Sequence, residues 1–311
     1  MQPAFKITLA GIITFAAAGC FHARGQAPGV PICRQVSQES QYTARLLGDA
    51  QKLFSSDKAI KLAQVRTELK RNCCQLTLPK VSKRKLPARE ICIAARHSHL
   101  RVGWSYLCDK CGHWHLNLAG GYILTTKGAV ATCFHVIEPA HEVRDGCLVA
   151  VDEEGTVFPV AEVLAANPES DACIVRVAGG SFKPLPLNTN VYPGDTVYCY
   201  SDPLEHRDYF SAGIVNRFYQ PGASRSAGPR ASGAVAPMRI NVSTDWAPGS
   251  SGSAVLDECG NVIGHVSTIS SVRDESTPKA QDSSAEKPVA MVFHEAVSAR
   301  DVLLLLRPRR N

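Results

Sequence analysis

The chain has 311 residues, 45% of them hydrophobic and 20% charged, and a formal net charge of +6. Such a composition belongs to a globular protein with a sizeable core in one or two domains, and it excludes a disordered chain. Its basic residues, with small clusters at 80–89 and 307–310, form no aromatic-interleaved patch, which excludes an obvious nucleic-acid partner.

Residues 1–27 carry one early charge, Lys6, and then an apolar run from Ile7 to Ala18. That run is shorter than the roughly 20 residues a membrane-spanning helix needs, and small residues follow it, so it is read as a secretory signal peptide. Ala17-Ala18-Gly19-Cys20 resembles a lipoprotein box, in which Cys20 would carry a lipid and become the mature first residue. Simple cleavage and lipidation both stay open. Either one places the mature chain outside the cytoplasm, in the periplasm or cell envelope, and only the Cys20 anchor would bring it to a membrane.

There are twelve cysteines, and export would permit disulfides. Losing or lipidating Cys20 leaves an odd number, so at least one thiol stays free or pairs between molecules. Cys133, Cys147, Cys173 and Cys199 sit inside apolar runs and read as small buried hydrophobes.

Residues 28–90 read as a helical N-terminal extension followed by a basic, proline-containing linker. Leu46, Leu47, Leu53, Ile60, Leu62 and Val65 recur at helical spacing, with a break at Ser55-Ser56-Asp57. Beyond Ile91 the texture changes to short runs rich in Val, Ile, Thr and Tyr, punctuated by turns such as Lys127-Gly128, Pro193-Gly194-Asp195 and Cys259-Gly260-Asn261. That pattern predicts a mainly β domain over 91–306, built of hairpins, in two halves with a boundary near 185. A helix is predicted over 295–306, with 307–311 as a tail.

Two stretches carry chemistry. The first is CDKCGHWH at 108–115. Cys108-x-x-Cys111-Gly112 resembles a zinc knuckle, and His113 and His115 alternate, so on a strand they would share a face. A structural zinc bound by Cys108, Cys111, His113 and His115 is one reading; a Cys108–Cys111 disulfide, or pairing with Cys92, is the other. Either would brace the fold, and no cofactor is required for the chemistry that follows.

The second stretch is DWAPGSSGSAVLDECGNVIGHVS at 245–267. A serine hydroxyl is a weak nucleophile until a base takes its proton and an acid orients that base. Upstream, GAVATCFHVIE ends an apolar run at His135, and PESDACIVRV opens another with Asp171. The order His135, Asp171, Ser251 is that of chymotrypsin, and not that of subtilisin or the α/β-hydrolases.

At this point the sequence resembles the trypsin-like serine peptidases of the chymotrypsin clan, in the HtrA-like bacterial branch. AGGYILTTKGAVATCFHV resembles the hairpin that delivers the histidine, and SDACIVRV the strand behind the aspartate. VYPGDTVYCYSDPLEHRDYFSAGIVNRFY, TDWAPGSSGSAVLDECGNVIGHVS and VAMVFHEAVSARDVLLLL resemble the later strands, the active-site loop and the closing segment. The resemblance covers about residues 100–306. No PDZ domain follows before Asn311, so that part of the branch is not expected.

The resemblance implies two packed six-stranded antiparallel barrels of the chymotrypsin type, with an N-terminal helical extension and a C-terminal helix. It implies Ser251 as nucleophile, His135 as general acid/base and Asp171 as the orienting carboxylate. The amides of Gly249, Ser250 and Ser251 would form the oxyanion hole, and Val266, Ser267 and Thr268 the wall that receives a polypeptide substrate. Ser250 stands where relatives carry Asp or Asn, and Ser253 where they carry Gly. The expectation is an exported serine endopeptidase acting through an acyl-enzyme. The alternative is a catalytically silent, protease-like binding module of the cell envelope.

Overall fold

The computed structural model describes residues 39–221, 235–273 and 288–306. The expected signal peptide, the Cys20 box, most of the polar loop at 274–288 and the tail lie outside the described residues. Three helices come first: α1 (Glu39–Ser55), α2 (Leu62–Glu68) and α3 (Ala88–Ser98). The first half then forms β1 (His99–Cys108), β2 (Trp114–Ile123), β3 (Ala129–Thr132), the one-turn α4 (Phe134–Ile137), β4 (Val143–Val151), β5 (Val157–Asn167) and β6 (Ala172–Val177). The second half forms β7 (Thr196–Ser201), β8 (Tyr209–Tyr219), β9 (Arg239–Val242), β10 (Ala254–Asp257), β11 (Val262–Arg273), β12 (Val289–Ser298) and α5 (Ala299–Leu303).

Each half closes into a six-stranded antiparallel barrel, in the order β1-β2-β3-β6-β5-β4 and β7-β8-β9-β12-β11-β10. β-branched residues fill the interiors because their stiff side chains pack well on a pleated surface. Val102, Trp104, Leu148, Val163 and Val175 meet inside the first barrel. Val197, Val215, Ile240, Val255 and Ile263 meet inside the second. Each such side chain, fully buried, contributes about 1.5–3 kcal/mol. A third cluster joins the halves: Tyr122, Leu124 and Ile174 from the first barrel touch Tyr200, Leu256 and Val297 from the second.

The N-terminal extension is tied to this frame. Val65 of α2 is fully buried against the first barrel. Glu68, also buried, accepts the Val163 N–H of β5 at 2.8 Å and binds Arg71 at 2.9 Å, so its charge is compensated. Residues 74–86 lie as a strap over the inter-barrel seam. Leu76, Leu78 and Leu86 pack against the seam cluster. The Cys74, Ser82 and Leu86 amides donate to Leu305 O, Asn261 Oδ1 and Glu258 O, each at 2.8 Å.

The structure departs from the sequence reading at three places. The mainly β texture expected from Ile91 onward begins instead with a helix, α3; Ile91, Ala95 and Ser98 are buried at helical spacing, and Pro87 is the residue preceding its first turn. The basic stretch at 80–89 is not a free linker but part of the strap and the start of α3. The C-terminal helix predicted over 295–306 is present but shorter: β12 runs through Ser298, whose hydroxyl accepts from Arg300 N and starts α5 at Ala299–Leu303. Among the described residues, no helix is long and apolar enough to cross a membrane.

Candidate active site

His135 and Asp171 come from two turns of the first barrel. β3 is buried along its whole length and ends in α4, which lifts the His135 ring out of the barrel with 46% of its side chain exposed. Asp171 closes the turn between β5 and β6. Asn167 shapes this turn by accepting the amides of Glu169 and Ser170 through Oδ1. Asp171 itself has φ +57°, a left-handed conformation that aspartate tolerates better than most residues.

The carboxylate and the imidazole are closely joined. His135 Nδ1 lies 3.0 Å from both Asp171 oxygens, and the His135 backbone N–H donates to Oδ1 at 3.1 Å. A carboxylate only accepts, so Nδ1 carries the proton and Nε2 keeps its lone pair. The hydrogen bond from Asp171, more than its Coulombic attraction, raises the His135 pKa above 6.5 against the opposing effect of burial. Burial alone would push the Asp171 carboxyl up; the contacts from His135 and the Ser267 hydroxyl outweigh it and hold the group at about 2.

Ser251 sits in the turn before β10, half-buried, on the second barrel. It lines one cleft together with His135, Trp104, Tyr106, Val143 and Gly249. No hydrogen bond joins Ser251 to His135 among the described residues. The loop is held by backbone conformation: Gly249 and Gly252 have φ +97° and +82°. A side chain on Gly252 would also come within 2.2 Å of Gly120 O, so β2 of the first barrel presses directly on the serine turn.

Residues 119–264 match the model of the trypsin-like peptidase domain. That stretch, just under half of the chain, is similar to trypsin-like peptidase domains. The chain is 26% identical over 150 residues to "Protease Do-like 1, chloroplastic" from Arabidopsis thaliana, covering 46% of this chain and 31% of that protein. To "Putative protease Do-like 14" from the same plant it is 27% identical over 158 residues, covering 48% and 34%. It therefore spans about a third of the length of the curated relatives it matches. The fold is similar to that of the HtrA-type protease AlgW, solved with a decapeptide, at TM-score 0.50 and 14% identity over 71% of this chain and 66% of that one.

The other expected site residues are distributed unevenly. The N–H groups of Gly249 and Ser251 make no hydrogen bond among the described residues, so both can serve a substrate oxygen. Ser250 differs from expectation: its N–H donates to Ala247 O at 3.0 Å, closing the turn, so it is not a third oxyanion donor. Its side chain is fully buried, and the hydroxyl finds no hydrogen-bond partner among the described residues.

The expected pocket wall divides in the same way. Val266 is buried, and its carbonyl accepts from Gly252 N at 2.7 Å and from Cys133 Sγ at 3.0 Å, so it supports the serine turn from beneath. Ser267 is also buried, and its hydroxyl donates to Asp171 Oδ2 at 2.7 Å. Only Thr268 is exposed; its carbonyl accepts the Trp246 indole N–H at 3.3 Å. Val266 and Ser267 thus support the Ser251 turn and Asp171 rather than line a pocket, because the strand carrying them runs under the turn before it reaches the open edge.

His265 was not expected at the site. It is fully buried, and burial lowers its pKa to about 4, so it is neutral. Its Nε2 lies 3.3 Å from Asp171 O and its Nδ1 3.5 Å from the Tyr122 hydroxyl. It supports the backbone of the Asp171 turn from below.

The knuckle stretch is only partly assembled as expected. Cys108, Cys111 and His115 come together, but His113 does not join them. β2 begins at Trp114, so His113 lies in the turn, where its carbonyl accepts the Cys108 N–H, and the expected alternation with His115 never begins. None of the ten cysteines among the described residues forms a disulfide, Cys92, Cys108 and Cys111 included. Burial, above all, pushes the Cys147 and Cys199 thiols up to about 12, in keeping with inert core positions.

Proposed function

We propose that this protein is an exported serine endopeptidase that cleaves polypeptides through an acyl-enzyme. The observation that carries this reading is the doubly contacted His135–Asp171 pair at the mouth of the cleft that Ser251 also lines. His135 Nε2 takes the Ser251 proton as the oxygen attacks the peptide carbonyl, and Asp171 stabilises the imidazolium that forms. The developing oxyanion is received by the free N–H groups of Gly249 and Ser251. The imidazolium then protonates the leaving amine, and water, activated by the same His135, hydrolyses the acyl-enzyme. Serine and histidine are not yet hydrogen-bonded. In unliganded sites such contacts often tighten only with substrate bound.

Beyond Val266, β11 pairs among the described residues with β12 alone. Its open edge is suited to an extended polypeptide adding as a further strand. Export rests on the apolar run after Lys6 and is read directly from the mass of the mature N-terminus, which also reports whether Cys20 carries lipid.

A fluorophosphonate probe tests the reaction. It should label the wild-type protein and not Ser251→Ala. Labelling that persists in the variant removes Ser251 as nucleophile. No labelling of the wild type, with polypeptide still captured, favours the silent binding module instead.

A further inference from the structure

The β1–β2 hairpin ends in a constellation that the hydrolytic scheme does not use. β1 closes at Cys108, where its register against β4 shifts. The chain then doubles back: the Cys108 N–H donates to His113 O at 2.9 Å, and the Gly112 N–H to Cys108 O at 3.0 Å, with Gly112 at φ +70°. This knuckle turns Cys111 back toward the start of β2. The Cys108 and Cys111 sulfurs and a His115 ring nitrogen all lie within 4.8 Å of one another. Cys111 Sγ is 3.0 Å from His115 Nε2.

Two of the three ligand groups, Cys108 and His115, are also held by neighbouring groups. The backbone amides of Cys111 and Lys110 point at the Cys108 sulfur. His115 faces Tyr106 across the β1–β2 ladder, and their rings stack with centroids 5.5 Å apart at 30°. Stacking fixes the imidazole plane as an outer-shell partner would. Two sulfurs and one imidazole nitrogen form a soft donor set, and no carboxylate belongs to the cluster, which disfavours magnesium and calcium. With metal–sulfur and metal–nitrogen bonds of about 2.3 and 2.0–2.1 Å, a tetrahedral centre needs its ligand atoms roughly 3.5–4 Å apart. The three groups already span that scale.

We propose that Cys108, Cys111 and His115 bind one zinc-class divalent ion, with the fourth coordination position open to solvent. Binding converts the two thiols to thiolates and releases two protons, so the site with its ion is neutral apart from the fourth ligand. His113 is not a ligand. The ion would lock the outer end of the hairpin, and that end borders the cleft. Cys108 pairs with Val143, and the Asp109 N–H donates to Glu142 O at 2.9 Å. Tyr106, Glu142 and Val143 all line the cleft of His135 and Ser251. The metal therefore sets the rigidity of one lip of the cleft without touching the reacting groups.

The test uses the full chain carrying Ser251→Ala, so that its outcome is independent of hydrolysis. The protein is reduced, freed of metal and titrated with Co2+. One equivalent should produce a thiolate-to-cobalt charge-transfer band and the strong visible absorption of a tetrahedral site, and Zn2+ should abolish both. Cys111→Ser and His115→Ala should each weaken Co2+ binding by about 100-fold or more. His113→Ala and Cys259→Ser should leave it unchanged. In the parent chain, Zn2+ should protect Cys108 and Cys111 from alkylation more than any other accessible cysteine, a readout that does not depend on the variants folding. A band of full strength in Cys111→Ser overturns the proposal. So does a protein that is isolated with a Cys108–Cys111 disulfide and gives no band after reduction.

Discussion

The two barrels share one strand order and hold their functional groups by different means. The first barrel supplies His135 and Asp171 and fixes them with side-chain hydrogen bonds, reinforced from the second barrel by Ser267 and His265. The second barrel supplies Ser251 through a loop whose shape is dictated by backbone. It contains two glycines at positive φ and an amide closing on Ala247, and the buried hydroxyls of Ser250 and Ser253 have no partner. Charge is placed where polar bonds can hold it, and the nucleophile is placed where glycine geometry leaves amide groups unspent. The comparison teaches that the two halves should fail differently when perturbed.

The largest effect should come from Ser251→Ala, which removes the nucleophile and leaves the charged pair intact. A fall in kcat of about 10⁶-fold on a cleaved peptide is expected. Asp171→Asn should cost about 10⁴-fold, because the amide no longer selects the Nδ1–H tautomer. The pH profile reports the same pair. A histidine pKa raised above 6.5 means that the imidazole stays protonated to higher pH, so kcat/KM should fall on the acid side with a midpoint above 6.5. In Asp171→Asn the residual activity should show that midpoint moved to lower pH.

Gly252→Ala probes the clasp between the barrels. The new methyl group would meet Gly120 O at 2.2 Å on a backbone of φ +82°, so a loss of about 3 kcal/mol in denaturant unfolding is expected. An unchanged midpoint would show that the barrels do not grip one another there. Ser267→Ala removes one hydrogen bond to a charged group, worth about 1.5–3 kcal/mol, and should lower kcat/KM by about tenfold. The smallest effect belongs to Ser250→Ala. Deleting a buried hydroxyl that has no partner should be neutral or should stabilise the fold by up to about 1 kcal/mol. A clear drop in Tm for this variant would mean that the second barrel also relies on polar bonds, and the contrast between the halves would be lost.

The β-rich character of both halves was legible because turn residues separate short β-branched runs throughout 99–298, while their closure into two six-stranded barrels was what the family resemblance implied. The pairing of His135 with Asp171, and the nearness of Ser251 to the same cleft, follow from what their order and flanking motifs suggested. What remained hidden depended on long-range placement. Ser267 reads as a pocket residue until its hydroxyl is seen against Asp171, which lies 96 residues earlier in the chain. His265 reads as an ordinary core position, and nothing local announces that it sits under the Asp171 turn. α3 was missed because Ile91, Cys92 and Ile93 have the composition of a strand, although their neighbours bury one helical face. The knuckle was half legible: the spacing of Cys108 and Cys111 is visible in the sequence, but where β2 begins decides which histidine joins them.

The strap at 74–86 bears on how this protein should be handled. A shortened version that starts at α3 or β1 would retain both barrels and every group of the cleft. It would also strip Leu76, Leu78 and Leu86 from the groove between the halves and leave an oily stripe facing water. Such a fragment should clump at concentrations where the longer chain stays dispersed, so expression boundaries and fusion tags belong ahead of Cys74.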